Sequence, residues 1–138
     1  MAKIVFTELE GWEEAYLRER LPGHELVLLN RPLMEADYQG LSDAAVLSPF
    51  IYTPVTAEVL TQLPDLKLVA TRSTGYDHVD VASAAARGVA VANVPFYGEN
   101  TVAEHTWALI LSLSRKIFQS FERTERCNFK IDASLRGF

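Results

Sequence analysis

Five short runs rich in Val, Ile, Leu and Ala, at 3–6, 25–29, 44–47, 66–71 and 89–94, constrain the fold more than any other feature of the sequence. Most are continuously apolar rather than alternating, the pattern of strands covered on both faces of a parallel sheet. Helical patterns fill the gaps. Residues 12–20 set Trp12, Ala15, Tyr16 and Leu17 among Glu and Arg and stop at Pro22-Gly23, predicting an amphipathic crossover. Residues 54–63 open on a proline near a helix start, place Val55, Val59, Leu60 and Leu63 on one face and end at Pro64. Asp80 is placed to cap a helix over 81–87, with Gly88 where a left-handed backbone costs least. Within 31–41 a short helix around 34–38 closes at Gly40.

Strands alternating with helices at this spacing predict a doubly wound α/β sheet, and right-handed crossovers leave few topologies. The expected fold is flavodoxin-like, a parallel five-stranded sheet of order 2-1-3-4-5. The last forty or so residues break the rhythm. Thr101-Val-Ala-Glu104 has the form of a capping box, and 102–113 is apolar on almost every side. A sheet covers one stripe of such a helix, so the rest of its surface calls for another partner. Ile117, Phe118 and Phe121 continue amphipathically, and 123–138 reads as a loop or tail. The expected division is therefore a sheet domain over 1–98, followed at 99–138 by a long inter-domain helix and tail.

With 138 residues, 49% hydrophobic and 22% charged, the chain can bury one core without disulfides or a structural metal. Cys127 is the single cysteine, and no Cys-x-x-Cys or His-x-x-x-His spacing occurs, which excludes a disulfide framework and the usual zinc patterns. The amino-terminal apolar run ends too soon for a signal peptide, and the longest apolar window, 106–113, falls short of the roughly 20 residues of a membrane span. A soluble cytoplasmic protein is expected. A net charge of -5 without a basic stripe disfavours nucleic acid.

Ligands of open parallel sheets bind at the carboxyl ends of the strands. Here those ends read Thr7-Glu8, Ser48-Pro49-Phe50, Arg72-Ser-Thr-Gly-Tyr76 and Pro95-Phe-Tyr-Gly98. A phosphorylated receiver domain would need an aspartate where Ser48 stands. A flavodoxin would need a Ser/Thr/Gly-rich phosphate loop where Glu8-Leu-Glu-Gly11 would repel one. A dinucleotide-binding domain would need Gly-x-Gly-x-x-Gly, and no two of the seven glycines have the Gly-x-Gly spacing.

What remains is Arg72-Ser-Thr-Gly-Tyr-Asp-His-Val-Asp80 followed by Asn93-Val-Pro-Phe-Tyr-Gly-Glu-Asn-Thr-Val-Ala-Glu-His105. These two motifs together resemble the D-isomer-specific 2-hydroxyacid dehydrogenase family, over nearly the whole chain, with the amino-terminal third supported by strand pattern alone. The resemblance implies a substrate-binding domain of flavodoxin-like fold, interrupted in sequence by a NAD(P)-binding domain, with this chain stopping just before the insert. It implies that the Thr74-Gly75 backbone grips the substrate carboxylate, where a plain tight turn is the alternative. Tyr97 would lie near substrate and nicotinamide, or act as an aromatic wedge at a strand end. Val102 would touch the nicotinamide ring, or be a core valine. Phe50 would line the pocket for the acid's side chain, or pack as an exposed aromatic.

Arg72 is chemically suited to clamp a carboxylate. The resemblance nevertheless puts the catalytic arginine, its acidic partner and the general-acid histidine later in sequence, leaving no catalytic residue here. Glu104 and His105 are helix neighbours that do not face one another, so they read as a capping carboxylate and a packing or interface residue. Asp77 and Asp80 have the spacing of turn and cap residues, and no metal is expected.

Two functions follow. The first is the substrate-binding part of a NAD(P)-dependent oxidoreductase reducing a small 2-oxo acid to the D-hydroxy acid, inactive in isolation, with NAD or NADP bound only in the full-length enzyme. The second is a non-catalytic module that self-associates, as a homodimer, through the apolar face of 102–121. A flavin-binding module is disfavoured by the loop after the first strand.

Overall fold

The computed structural model describes residues 1–130 and 133. They form two compact units, Met1–Pro95 and Phe96–Phe138. The first contains β1 (Lys3–Phe6), α1 (Glu13–Arg20), β2 (Glu25–Leu28), a 3-10 helix (Glu35–Gly40), β3 (Ala44–Ser48), α2 (Ala57–Gln62), β4 (Leu68–Ala70), α3 (Val81–Ala86) and β5 (Ala90–Ala92). The strands form one sheet of order β2-β1-β3-β4-β5, every neighbouring pair parallel, as the strand pattern predicts.

Register explains the core. Val27, Val5, Leu47, Val69 and Val91 pair in one row across the sheet and therefore point to one face. Against this row pack Leu33, Leu41, Val55, Val59, Leu60, Leu63, Val79 and Ala84, brought by the 3-10 segment, α2 and α3. The opposite face departs from the expected two-sided coverage. Ile4 and Phe6 are buried there, but Leu26, Leu28, Val46, Leu68 and Ala70 are half-buried, and Ala90 and Ala92 are exposed.

α1 is the reason in part. The chain forms the expected helix, with Glu13 and Glu14 in the first turn, Arg18 and Arg20 in the last, and an Arg18–Glu14 ion pair at 2.9 Å. None of its described residues is buried, and Trp12 and Tyr16 are exposed. Ala15, Tyr16 and Leu17 are consecutive, so they fan around the helix instead of lining one stripe.

One helix start in this unit differs from the sequence expectation. α2 begins after Thr56, whose hydroxyl accepts the Val59 N–H at 3.3 Å. Pro54 lies ahead of that cap because Val55 forms a parallel bridge with Val79. The Val55 N–H donates to the His78 carbonyl and the Asp80 N–H to the Val55 carbonyl. α3 starts as predicted, its N-cap Asp80 accepting from the Ser83 N–H at 2.9 Å, and Gly88 follows it with a φ of 72°.

The second unit holds α4 (Glu99–Ser114) and α5 (Ile117–Glu125). The expected capping box at Thr101 and Glu104 is not formed. Gly98 is the N-cap, which places both residues inside the helix, too late to reach the first free amides. Lys116, left-handed at φ 53°, separates the helices. The amphipathic stretch around Phe118 and Phe121 is thus a second helix. It extends to Glu125, shortening the expected tail of 123–138, of which 131, 132 and 134–138 lie outside the described residues.

Candidate functional site

The buried polar side chains named in the first unit are all hydroxyls, Thr7, Ser48, Thr53, Thr71 and Ser73, at or just beyond the carboxyl ends of β1, β3 and β4. Burying a hydroxyl is favourable only with a partner, so each reports a fixed connection. The Ser48 hydroxyl donates to the Ala70 carbonyl at 2.9 Å, and that of Thr71 to the Ser73 carbonyl at 3.3 Å. Ser73 Oγ lies 2.7 Å from the Gly75 carbonyl and 3.3 Å from the Phe50 carbonyl. One buried serine therefore closes the loop after β4 onto Gly75, with its Oγ lying against the loop after β3.

Those loops carry Phe50, Thr74 and Gly75, three of the residues the sequence points to. Thr74 and Gly75 are exposed and Phe50 is half-buried. Both carbonyls of the Thr74-Gly75 pair face protein donors, Asn93 Nδ2 at 2.8 Å from the Thr74 oxygen and the Ser73 hydroxyl at the Gly75 oxygen. Among the described residues neither the Thr74 nor the Gly75 N–H has an acceptor. Two adjacent amides without acceptors, on exposed residues just past a parallel strand, are suited to an anion such as a carboxylate. Gly75 has an ordinary φ, and a Cβ there would meet only Asp77 Oδ2, at 3.6 Å. Nothing within the described chain requires glycine at this position.

Tyr97 and Val102 belong to the second unit, each 71% exposed. Val102, on α4, is thus not the core valine that its sequence alone suggests. Arg72 is engaged within the chain. Its Nη1 donates to Glu13 Oε1 at 2.7 Å, and its Nη2 donates to the carbonyls of Thr7 and Glu8. The guanidinium ties the end of β4 to the end of β1 and the start of α1. Asp80 is held below the usual carboxylate range by Ser83, whose hydroxyl and N–H both donate to it, which fits a cap.

Glu8 is the residue that the sequence reading missed, having weighed it only as a charge that repels phosphate. It sits in the left-handed region at φ 61°, and its Oε2 accepts the Phe50 N–H at 2.7 Å while Oε1 accepts the Tyr52 N–H. Thr7 and Thr53, two hydroxyls 2.9 Å apart, complete the connection, and the Leu33 N–H donates to Thr53. The signal for this network is polar residues at strand ends where apolar runs stop, but no periodicity tells which of them touch.

The β1–α1 connection carries Glu8 and Glu10, α1 opens on Glu13, and none of the glycines supplies a Gly-x-Gly turn. The residues present therefore do not fit the pyrophosphate of a dinucleotide. No helix among the described residues is long and apolar enough to cross a membrane.

An open parallel sheet with unpaired amides at its carboxyl edge defines an α/β domain with a candidate anion site. The family described as D-isomer specific 2-hydroxyacid dehydrogenase, catalytic domain, matches residues 4–133, and the chain belongs to that family. A 2-hydroxyacid dehydrogenase homolog of Haemophilus influenzae is 37% identical over 140 aligned residues, covering 99% of this chain and 42% of the relative. The glycerate dehydrogenase of Methylorubrum extorquens is 37% identical over 106 residues, covering 77% of this chain and 27% of the relative. A solved structure of D-lactate dehydrogenase from Aquifex aeolicus, complexed with NAD and lactic acid, superposes with a TM-score of 0.88 and 30% identity, over 98% of this chain and 40% of that one. The chain thus spans less than half the length of these proteins.

Proposed function

We propose that this chain is the substrate-binding part of a cytoplasmic NAD(P)-dependent oxidoreductase that acts on the CH–OH group of a D-2-hydroxy acid, in the direction of 2-oxo acid reduction. The observation that carries the reading is the pair of unpaired amides at Thr74 and Gly75, whose carbonyls are already engaged inward. They hold the substrate carboxylate. Phe50, whose carbonyl lies 3.3 Å from Ser73 Oγ in the same loop, borders the acid's side chain. Tyr97 and Val102 offer exposed surface to the nicotinamide ring. A nicotinamide held by the rest of the full-length protein would supply the hydride. Arg72 is no part of the clamp, because its Nη1 and Nη2 are directed to Glu13 and to backbone carbonyls. The chain alone is inactive, since the dinucleotide cradle and the Arg, acidic and His groups of the family resemblance fall outside it.

Calorimetric titration of the chain, first with NADH and then with oxamate, tests this division of labour. No NADH heat and weak oxamate binding are expected, together with D-selective reduction of 2-oxo acids by the full-length protein. Tight NADH binding by the short chain overturns it.

A second reading, a non-catalytic module that self-associates as a dimer, is favoured by the second unit. α4 exposes Val102, Trp107, Leu109, Leu111 and Leu113, and α5 exposes Phe118 and Phe121. Apolar surface on this scale marks an interaction site. Light scattering decides: a dimer mass that falls to a monomer in Trp107→Glu with Leu111→Glu supports association, and a monomeric wild type removes it.

A further inference from the structure

Glu8 stands where a glycine or asparagine would be at less cost. A left-handed backbone strains a residue with a long side chain, and such strain persists where something else over-determines it. Here the over-determining feature is convergence of donors. The Phe50 N–H, at 2.7 Å, and the Tyr52 N–H reach different oxygens of one carboxylate, and the Thr7 hydroxyl lies 3.2 Å from Oε2. The Leu33 N–H donates to Thr53, whose hydroxyl meets that of Thr7 at 2.9 Å, and with the Thr7 proton on Glu8 the remaining bond runs from Thr53 to Thr7. Only an acceptor with two free oxygens closes this chain, since an amide would turn an NH2 group toward an N–H.

From behind, Arg72 holds the same corner by donating to the Thr7 and Glu8 carbonyls. In front lies a cavity of about 190 Å³ lined by Glu8, Glu10, Trp12, Glu13, Phe50 and Arg72. Phe50 is thus fixed by its N–H on Glu8, and its carbonyl lies 3.3 Å from the Oγ of Ser73, the serine whose hydroxyl holds the Gly75 carbonyl at 2.7 Å. The loop that bears Phe50 is anchored to Glu8 and lies against the anion-binding turn at Ser73.

We propose that Glu8 is a positioning residue for substrate selection: by capping the Phe50 and Tyr52 amides it sets the distance between the Phe50 ring and the Thr74-Gly75 amides, and so the size of 2-oxo acid side chain the site accepts. This rests on the 2-oxo acid reading above. Glu8 touches no reacting atom, so its loss alters fit rather than the chemical step.

The test is made in the full-length protein that carries this chain, comparing wild type, Glu8→Gln and Glu8→Gly. Glycine relieves the left-handed backbone while removing the carboxylate, so it guards against a variant that merely fails to fold. Amide hydrogen exchange is followed at Phe50 and Tyr52, and kinetics are measured with pyruvate, 2-oxobutyrate and phenylpyruvate. Both variants are expected to exchange these amides faster. KM for the preferred acid should rise by about tenfold with kcat within about threefold, and the preference between pyruvate and phenylpyruvate should narrow, since a mispositioned wall weakens binding shared by ground and transition states. Folded, active variants with unchanged KM and preference overturn the proposal even if exchange quickens, because Glu8 is then only structural. A wild type that reduces none of these acids overturns the functional reading itself, and with it any part for Glu8 in choosing among them.

Discussion

Arg72 and Glu13, 59 positions apart, meet at 2.7 Å between Nη1 and Oε1, with both side chains about four-fifths removed from solvent. The pair joins the ends of two neighbouring layers of the fold, a strand end and a helix start. A guanidinium held in this way is a brace between β4 and β1. Arg72→Met should therefore lower unfolding free energy by about 2 kcal/mol, most of it from leaving the Glu13 carboxylate and two carbonyls without donors. Urea denaturation measures it. Arg72→Lys should recover less than half of the loss, since an ammonium cannot fork to both partners. A stable Arg72→Lys protein whose 2-oxo acid KM has risen would instead identify Arg72 as a substrate clamp.

The central row of the sheet gives a second prediction. Leu47 has no exposed surface and lies between Val5 and Val69, whereas Leu68 is half-buried on the opposite face. Leu47→Ala should cost about 3 kcal/mol through lost transfer energy and an unfilled cavity, and Leu68→Ala about 1 kcal/mol. Equal losses in urea denaturation would mean that both faces are covered alike.

Acid sensitivity follows from three carboxylates. The Asp37 carboxyl is held below its ordinary range by the two-pronged Arg31 hydrogen bond, Nη1 and Nη2 each at 2.8 Å, with the Met34 N–H adding to it. Asp43 is lowered by the Lys3 ammonium at 2.6 Å, and Asp80 by Ser83. A lowered folded-state pKa means that the stabilisation is complete above the unfolded carboxylate value, near 4, and is lost as pH falls through the folded value. Thermal midpoints should hold from pH 7 to about 5 and drop below about 4. In Asp37→Asn the midpoint should be lower at pH 7 and its fall below pH 4 shallower. A variant that keeps the wild-type slope would show that Asp37 does not contribute.

Strand order, the Asp80 cap and Gly88 were legible because each depends on local chemistry: apolar runs of strand length, a carboxylate three residues before a free amide, a glycine past a helix end. The family was legible because Thr74-Gly75 and the Asn93 to His105 stretch are contiguous. What was not legible is tertiary. Whether Thr101 caps a helix depends on where the chain can enter it, and Gly98 allows entry earlier. Ala15, Tyr16 and Leu17 looked like a helix face by content, although their spacing opposes it. Glu8 was opaque because its three donors come from residues 7, 50 and 52, and only the parallel pairing of β1 with β3 brings them together.

Gly75 separates fold from function most cleanly. Its backbone is not left-handed, and a methyl group would meet only Asp77 Oδ2 at ordinary contact distance, 3.6 Å. Gly75→Ala should therefore change stability by less than about 0.5 kcal/mol, or raise it slightly by restricting the unfolded chain. The same methyl stands beside the Thr74 and Gly75 amides, whose N–H groups have no acceptor among the described residues. A ligand carboxylate must approach within about 3 Å of those nitrogens to be bound. Gly75→Ala should raise the 2-oxo acid KM of the full-length protein by about tenfold or more while leaving its melting temperature in place, because the binding lost is that of the anchored carboxylate. Unaltered kinetics in a stable variant would move the carboxylate to other donors and reduce Thr74-Gly75 to a turn.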